Sequence, residues 1–186
     1  MNHFFENITG YSEFKEQGVL LNYVCEKINC NNLKILELGV FQGKCTAMWV
    51  VELINKNIDF EYYAVDHFKG SIEHEQKDYY PLAIKNLEPI IDKINILKLN
   101  SDEAHKNFED NYFDFIYIDA SHDYESVKKD ILNWYPKVKI NGYIGGDDYN
   151  QTWPEVIMAV SYIFKNGIIE IGNGQWVFKK ENNNYE

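Results

Sequence analysis

Asp119, Ser121, His122 and Asp123 follow directly on four apolar residues, Phe115, Ile116, Tyr117 and Ile118. A carboxylate, a hydroxyl and an imidazole together can bind, orient and move protons. The imidazole titrates near neutrality without any help from its surroundings. Nucleophilic catalysis by Ser121 is not expected, because no G-x-S-x-G turn surrounds it. The plain alternative for His122 is a helix-start histidine bonded locally.

Three further places carry candidate chemistry. Glu37-Leu38-Gly39-Val40-Phe41-Gln42-Gly43 joins an apolar run to a helical pattern. Gly39 permits an unusual backbone angle there, and Gly43 lets a ligand approach the helix start closely. The spacing is G-x-x-x-G rather than the dinucleotide G-x-G-x-x-G, which points away from NAD and towards a smaller charged group. Asp66 ends the second apolar run and can accept hydrogen bonds from both hydroxyls of a ribose, or cap a turn. Asp102, beside Ser101 after the third run, can accept from an adenine amino group, or favour a helix start as an anion.

The elements that must position these residues alternate. Strands are expected over 33–39, 60–66, 94–99, 115–118 and 143–146, each a short apolar run that turns polar at its carboxyl end. Helices are expected over 11–28, with Tyr11-Ser12 as the cap and Phe14, Val19, Leu20, Tyr23, Val24 and Ile28 as the apolar face, and over 43–57. Others are expected over 73–92 with a break near Pro81, over a short stretch from Ser101, over 124–134, and over 154–165. Two last strands, 168–171 and 175–179, flank Gly172-Asn173-Gly174, which is hairpin chemistry. Five βα alternations and an antiparallel hairpin make an α/β protein, a mostly parallel sheet with helices on both faces. In such sheets ligands bind outside the carboxyl ends of the strands, where all the acids above fall. His67, Phe68, Tyr149 and Trp153 sit on loops at that edge and are candidates to line a substrate pocket.

The net charge of −11 excludes a sequence-independent nucleic-acid binder, which needs a basic face. The chain has no arginine, so bidentate guanidinium clamps are unavailable and lysine must serve for phosphate or carboxylate. Cys25, Cys30 and Cys45 are an odd set without metal-quartet spacing and read as free thiols of a reducing compartment. The first residues carry no leader pattern and no apolar run is long enough to span a bilayer, so a soluble cytoplasmic protein without membrane contact is expected.

Glu37-Leu38-Gly39 with Gly43, then Asp66, Ser101-Asp102 and Ile118-Asp119, resemble the ordered motifs of class I S-adenosylmethionine-dependent methyltransferases. In finer detail, residues 118–124 with Gly145-Gly146-Asp147-Asp148-Tyr149 are similar to the small metal-dependent sugar O-methyltransferase and cephalosporin-hydroxylase-like group. The resemblance covers about 33–179. It implies a Rossmann-like doubly wound, seven-stranded sheet of order 3-2-1-4-5-7-6 with strand seven antiparallel. It also implies one methyltransferase-like domain over 1–186: an arm and helix to 32, a core over 33–180, and a tail. S-adenosylmethionine would be the cofactor, bound by Glu37, Gly39, Gly43, Asp66, Ser101, Asp102 and Asp119. In that group the strand-end acids bind a divalent cation, which here means Asp119, Asp147 and Asp148. Oxygen ligands suit Mg²⁺, and carboxylates that converge without a cation repel one another. Both Asp147 and Asp148 can reach one ion only if the chain turns there. The group's usual acidic base is replaced by Ser121, which leaves His122 as the candidate base beside Asp119. The implied reaction is methyl transfer to an oxygen of a small molecule or glycan, and a second copy of the chain is an allowed partner. Two other readings stay open: a non-catalytic S-adenosylmethionine-binding subunit of a partner enzyme, and another transferase or metal-dependent hydroxylase-like activity on the same fold.

Overall fold

The computed structural model describes residues 1–8, 14–28, 32–71, 74–172 and 174–182. The expected cap at Tyr11-Ser12, Cys30 and the hairpin's Asn173 lie outside the described residues. Seven strands form one sheet, β3-β2-β1-β4-β5-β7-β6. They are β1 (Leu33–Leu38), β2 (Phe60–Asp66), β3 (Ile94–Lys98), β4 (Phe113–Ile118), β5 (Val138–Gly146), β6 (Ile169–Ile171) and β7 (Gln175–Lys179). The β1, β2, β3, β4 and β5 pairings are parallel, and β7 runs antiparallel to both β5 and β6. This is the doubly wound, Rossmann-like sheet that the motifs implied.

Both faces are covered, and the period of two along each strand sorts side chains between two cores. Ile35, Phe115 and Tyr117 face one core, with α1 (Phe14–Lys27), α2 (Lys44–Asn55) and α3 (Tyr80–Leu87). Leu36, Leu38, Ile116 and Ile118 face the other, with α4 (Ser101–Ala104), α5 (Tyr124–Trp134) and α6 (Pro154–Phe164). Among the described side chains of α1, Leu20, Leu21 and Val24 are buried and Val19 is exposed. The register then aligns the site. Leu38 pairs with Val65 and with Ile118, and Ile118 pairs with Gly146. The residues that follow, Gly39, Asp66, Asp119 and Asp147, therefore leave the sheet in one row.

Several boundaries differ from the sequence expectation. β4 begins at Phe113, not 115, and so includes Asp114. That carboxylate is tolerated inside a buried strand because it accepts from the Lys34 N–H at 2.9 Å and from Lys139 Nζ at 2.8 Å. β5 reaches back to Val138. The region expected as one interrupted helix over 73–92 holds α3 and a 3-10 stretch over 88–93. Pro81 starts the helix and Pro89 starts the tighter turn, each where its missing N–H has no role. The short helix expected from Ser101 is α4, with Asn100 as the residue before it.

Candidate active site

The β1–α2 turn is built by close approach. Gly39 has φ +91°, and a Cβ there would stand 1.7 Å from the Asp119 carbonyl oxygen. Only glycine lets the turn pass so near the end of β4. Gly43 has φ +82°, precedes α2, and would press a Cβ to 2.9 Å of Leu87. Asp66 fixes the same turn: one oxygen accepts the Val40 and Phe41 N–H groups at 2.8 and 2.7 Å, and the other accepts from Phe68 N–H at 2.6 Å. Glu37 is fully buried beneath the turn and accepts from Thr46 Oγ1 at 2.6 Å and Tyr62 Oη at 2.9 Å. Burial pushes its carboxyl up to about 7, although Thr46, Tyr62 and Cys45 favour the ionised form. Glu37 thus braces the turn from below and is absent from the residues lining the cleft.

The β4 and β5 ends meet for a similar reason. A Cβ on Gly146 would lie 2.4 Å from the Ile118 carbonyl, and the Asp147 N–H donates to that carbonyl at 3.2 Å. Asp148 then takes φ +61°, the turn that brings it round towards Asp119. His122 Nε2 lies 2.8 Å from Asp148 Oδ2, and its ring stacks on Trp153 with centroids 4.0 Å apart. One potential ligand atom each from Asp119, His122 and Asp148 falls within 4.8 Å of the others. Asp147 points to other partners, accepting from Tyr117 Oη at 3.2 Å and from the Asp148 N–H at 2.9 Å. Burial pushes the Asp119 carboxyl well up, and the charges of Asp147 and Asp148 push it further. Asp123 caps α5 by accepting from Ser126 N–H at 3.0 Å.

A cleft of about 700 Å³ runs along this edge. Gly39, Asp66, Ser101, Asp102, Asp119, His122, Asp147 and Asp148 all line it, so the structure brings the sequence-predicted residues together, with Glu37 and Gly43 behind the wall. Of the aromatic candidates, His67 and Trp153 line the cleft. Phe68 is buried in the core, and Tyr149 pairs with Ser161 at 3.0 Å. Ser101 donates its hydroxyl to Asp130, and Asp102 pairs with Lys129 Nζ at 2.6 Å, which lowers its pKa. Ser126, Lys129 and Asp130 on α5 also line the cleft and were missed from sequence. Their signal was a polar stripe at i, i+3 and i+4 beside the apolar Val127, Ile131 and Trp134.

A family model described as a methyltransferase domain matches residues 36–149, more than half of the chain. The chain belongs to that family, within the class I S-adenosylmethionine-dependent methyltransferases. A Sinorhizobium fredii protein, uncharacterized y4gI, is 27% identical over 108 residues, which are 56% of this chain and 12% of that protein. The chain thus spans a small part of the curated relative it matches. Among solved structures, an S-adenosylmethionine-dependent O-methyltransferase of Thermotoga maritima aligns with TM-score 0.68 at 13% identity, covering 100% of this chain and 74% of its own. CalS11, a TDP-rhamnose 3′-O-methyltransferase, aligns at 0.67 and 12% identity, covering 86% and 77%. The O-methyltransferase NovP aligns at 0.65 and 17% identity, covering 96% and 80%. At these identities the likeness is one of fold. No described helix is long and apolar enough to cross a membrane.

Proposed function

We propose that the chain transfers the methyl group of S-adenosylmethionine to an oxygen of a small molecule or a sugar, with residues 33–180 as the working unit. The observation that carries this reading is the meeting of Asp119, His122 and Asp148 in the cleft, beside the Gly39 turn. The structural likeness to enzymes named as O-methyltransferases, one acting on TDP-rhamnose, supports oxygen as the acceptor atom and a sugar among the candidate substrates.

S-adenosylmethionine supplies an electrophilic methyl carbon, so the protein's task is chiefly alignment and acceptance of the hydroxyl proton. The glycine turn would border the methionine end, and Asp66 would offer its remaining acceptor capacity to the ribose while holding the turn rigid. His122 is the base. Asp148 and the face of Trp153 hold its ring in place. The set Asp119, Asp148 and His122 also fits a divalent cation. Its potential ligand atoms are close together, and the half-buried Asp119 carboxyl is held up first by burial and then by the negative charge of Asp147 and Asp148, which a cation would relieve. Asp119 and Asp148 would hold that ion, with Asp147 behind them. When bound, Mg²⁺ supplies positive charge that lowers the pKa of an acceptor hydroxyl.

The test is transfer of a labelled methyl group from S-adenosylmethionine to a panel of nucleotide sugars and small alcohols. His122→Ala is expected to lower turnover at least about 100-fold while the donor still binds. Asp119→Asn is expected to abolish any dependence on Mg²⁺. Donor binding without turnover on any acceptor, unchanged in both variants, would instead favour a non-catalytic subunit.

A further inference from the structure

α6 packs Val156, Ala159, Val160 and Phe164 into the core and turns its opposite side to solvent. That opposite side is not polar. Of the 11 residues of α6, only Glu155, Ser161 and Tyr162 carry a side-chain nitrogen or oxygen. A helix apolar almost all round needs cover on more than one side. Met158 is nevertheless 58% exposed and Tyr162 63% exposed. The patch continues onto α5. Lys128 Nζ lies 5.2 Å from the centre of the Tyr162 ring and 5.3 Å from that of Tyr124. Leu132, one turn beyond Lys128, is 55% exposed. Contiguous apolar surface of this kind marks a place where another surface sits.

Charge at the two ends of the patch identifies that surface. Glu155, Met158, Tyr162 and Lys165 are all exposed and follow one another at intervals of three, four and three residues, the spacing of a seam between helices. Glu155 stands in the first turn of α6 and Lys165 at its end. Among the described residues no acid pairs with Lys165. We propose that this face seats a second copy of the chain, with the two α6 helices antiparallel about a two-fold axis at Val160. Glu155 then meets the partner's Lys165, and Met158 meets the partner's Tyr162, each pair occurring twice because the interface is its own complement. Antiparallel helix dipoles favour the same arrangement. A parallel pairing would set Glu155 against Glu155 and Lys165 against Lys165, so the charges reject it. Two chains of net charge −11 repel unless their contact is locally balanced, and this stripe carries one acid and one base.

Sedimentation equilibrium of the full chain tests the pairing, and its outcome does not bear on the methyl-transfer reading. The wild-type protein is expected to reach twice the mass of the chain by about 200 μM. Met158→Glu and Tyr162→Glu, both at exposed positions, are each expected to raise the dissociation constant at least about 10-fold, with circular dichroism showing that each variant is folded. Lys165→Glu and Glu155→Lys are each expected to weaken the dimer about 5-fold, because each turns two attractive pairs into two repulsive ones. An equimolar mixture of those two variants is expected to dimerise as well as wild type, since every acid again faces a base. A wild-type protein that keeps the mass of one chain at about 200 μM overturns the proposal. So does a dimer that both Met158→Glu and Tyr162→Glu leave intact, which would place the contact elsewhere. A mixture of the two charge variants that associates no better than either alone overturns the antiparallel arrangement.

Discussion

Two residues test how the site is braced. Glu37 lies buried with its carboxyl pushed up to about 7, above an unfolded value of 4.5. Between those values the folded chain binds more protons than the unfolded chain, so stability falls as pH rises from about 4.5 to about 7 and is flat beyond. Glu37→Gln is expected to remove that slope and to gain up to about 3 kcal/mol at neutral pH, less whatever Thr46 and Tyr62 lose as donors. Urea unfolding at several pH values measures it. Gly39→Ala is expected to lose about 3 kcal/mol or more, because its Cβ would meet the Asp119 carbonyl and its φ is left-handed. An Ala variant as stable as wild type in the same assay would mean that the turn does not need this close approach. The acids were legible in sequence because each ends an apolar run. Their partners were not. That Asp66 spends three hydrogen bonds on backbone N–H groups, that Lys129 takes Asp102, and that Ser101 serves Asp130 depends on neighbours 25 or more residues away for all but the Phe68 contact.

At the scale of elements, strand ends and glycines were readable and helix faces were less so. The alternation of strands with helical patterns gives the order of elements, and the one-row alignment of Gly39, Asp66, Asp119 and Asp147 follows once the register is known. The polar stripe on α5 carries no mark of the cleft, because sequence cannot tell a solvent-facing side from a cleft-facing one. β4 was cut short at Asp114 because a charge inside a buried strand is unfavourable until Lys139 is seen to answer it. A cation also ties the far end of the sheet. Lys180 Nζ sits within hydrogen-bond reach, 2.7 to 3.3 Å, of the carbonyls of Tyr135, Pro136 and Val138 and of Asn111 Oδ1, which share its three N–H groups. It joins the end of β7 to the chain between α5 and β5. Lys180→Met is expected to strand those acceptors and lower stability by about 1–3 kcal/mol in thermal or urea unfolding, with cofactor affinity unchanged because the site lies at the opposite edge.

For the molecule as a whole, the motifs in order implied the sheet order, and the structure has it, with β7 antiparallel. Spacing alone gives elements; the likeness supplies how they are wound. A net charge of −11 and a cluster of acids at one sheet edge predict that divalent cations stabilise the fold by binding it rather than the unfolded chain. At about 100 times its dissociation constant, Mg²⁺ or Mn²⁺ is expected to raise the melting temperature by about 5–10 °C. Asp119→Asn is expected to erase the rise in the same melting experiment, while Lys180→Met keeps it. The most direct test of the account remains binding of the donor's product. Calorimetric titration of the wild-type protein with S-adenosylhomocysteine is expected to give saturable one-site binding. No binding at millimolar S-adenosylhomocysteine, with the protein folded, would contradict the account at its centre.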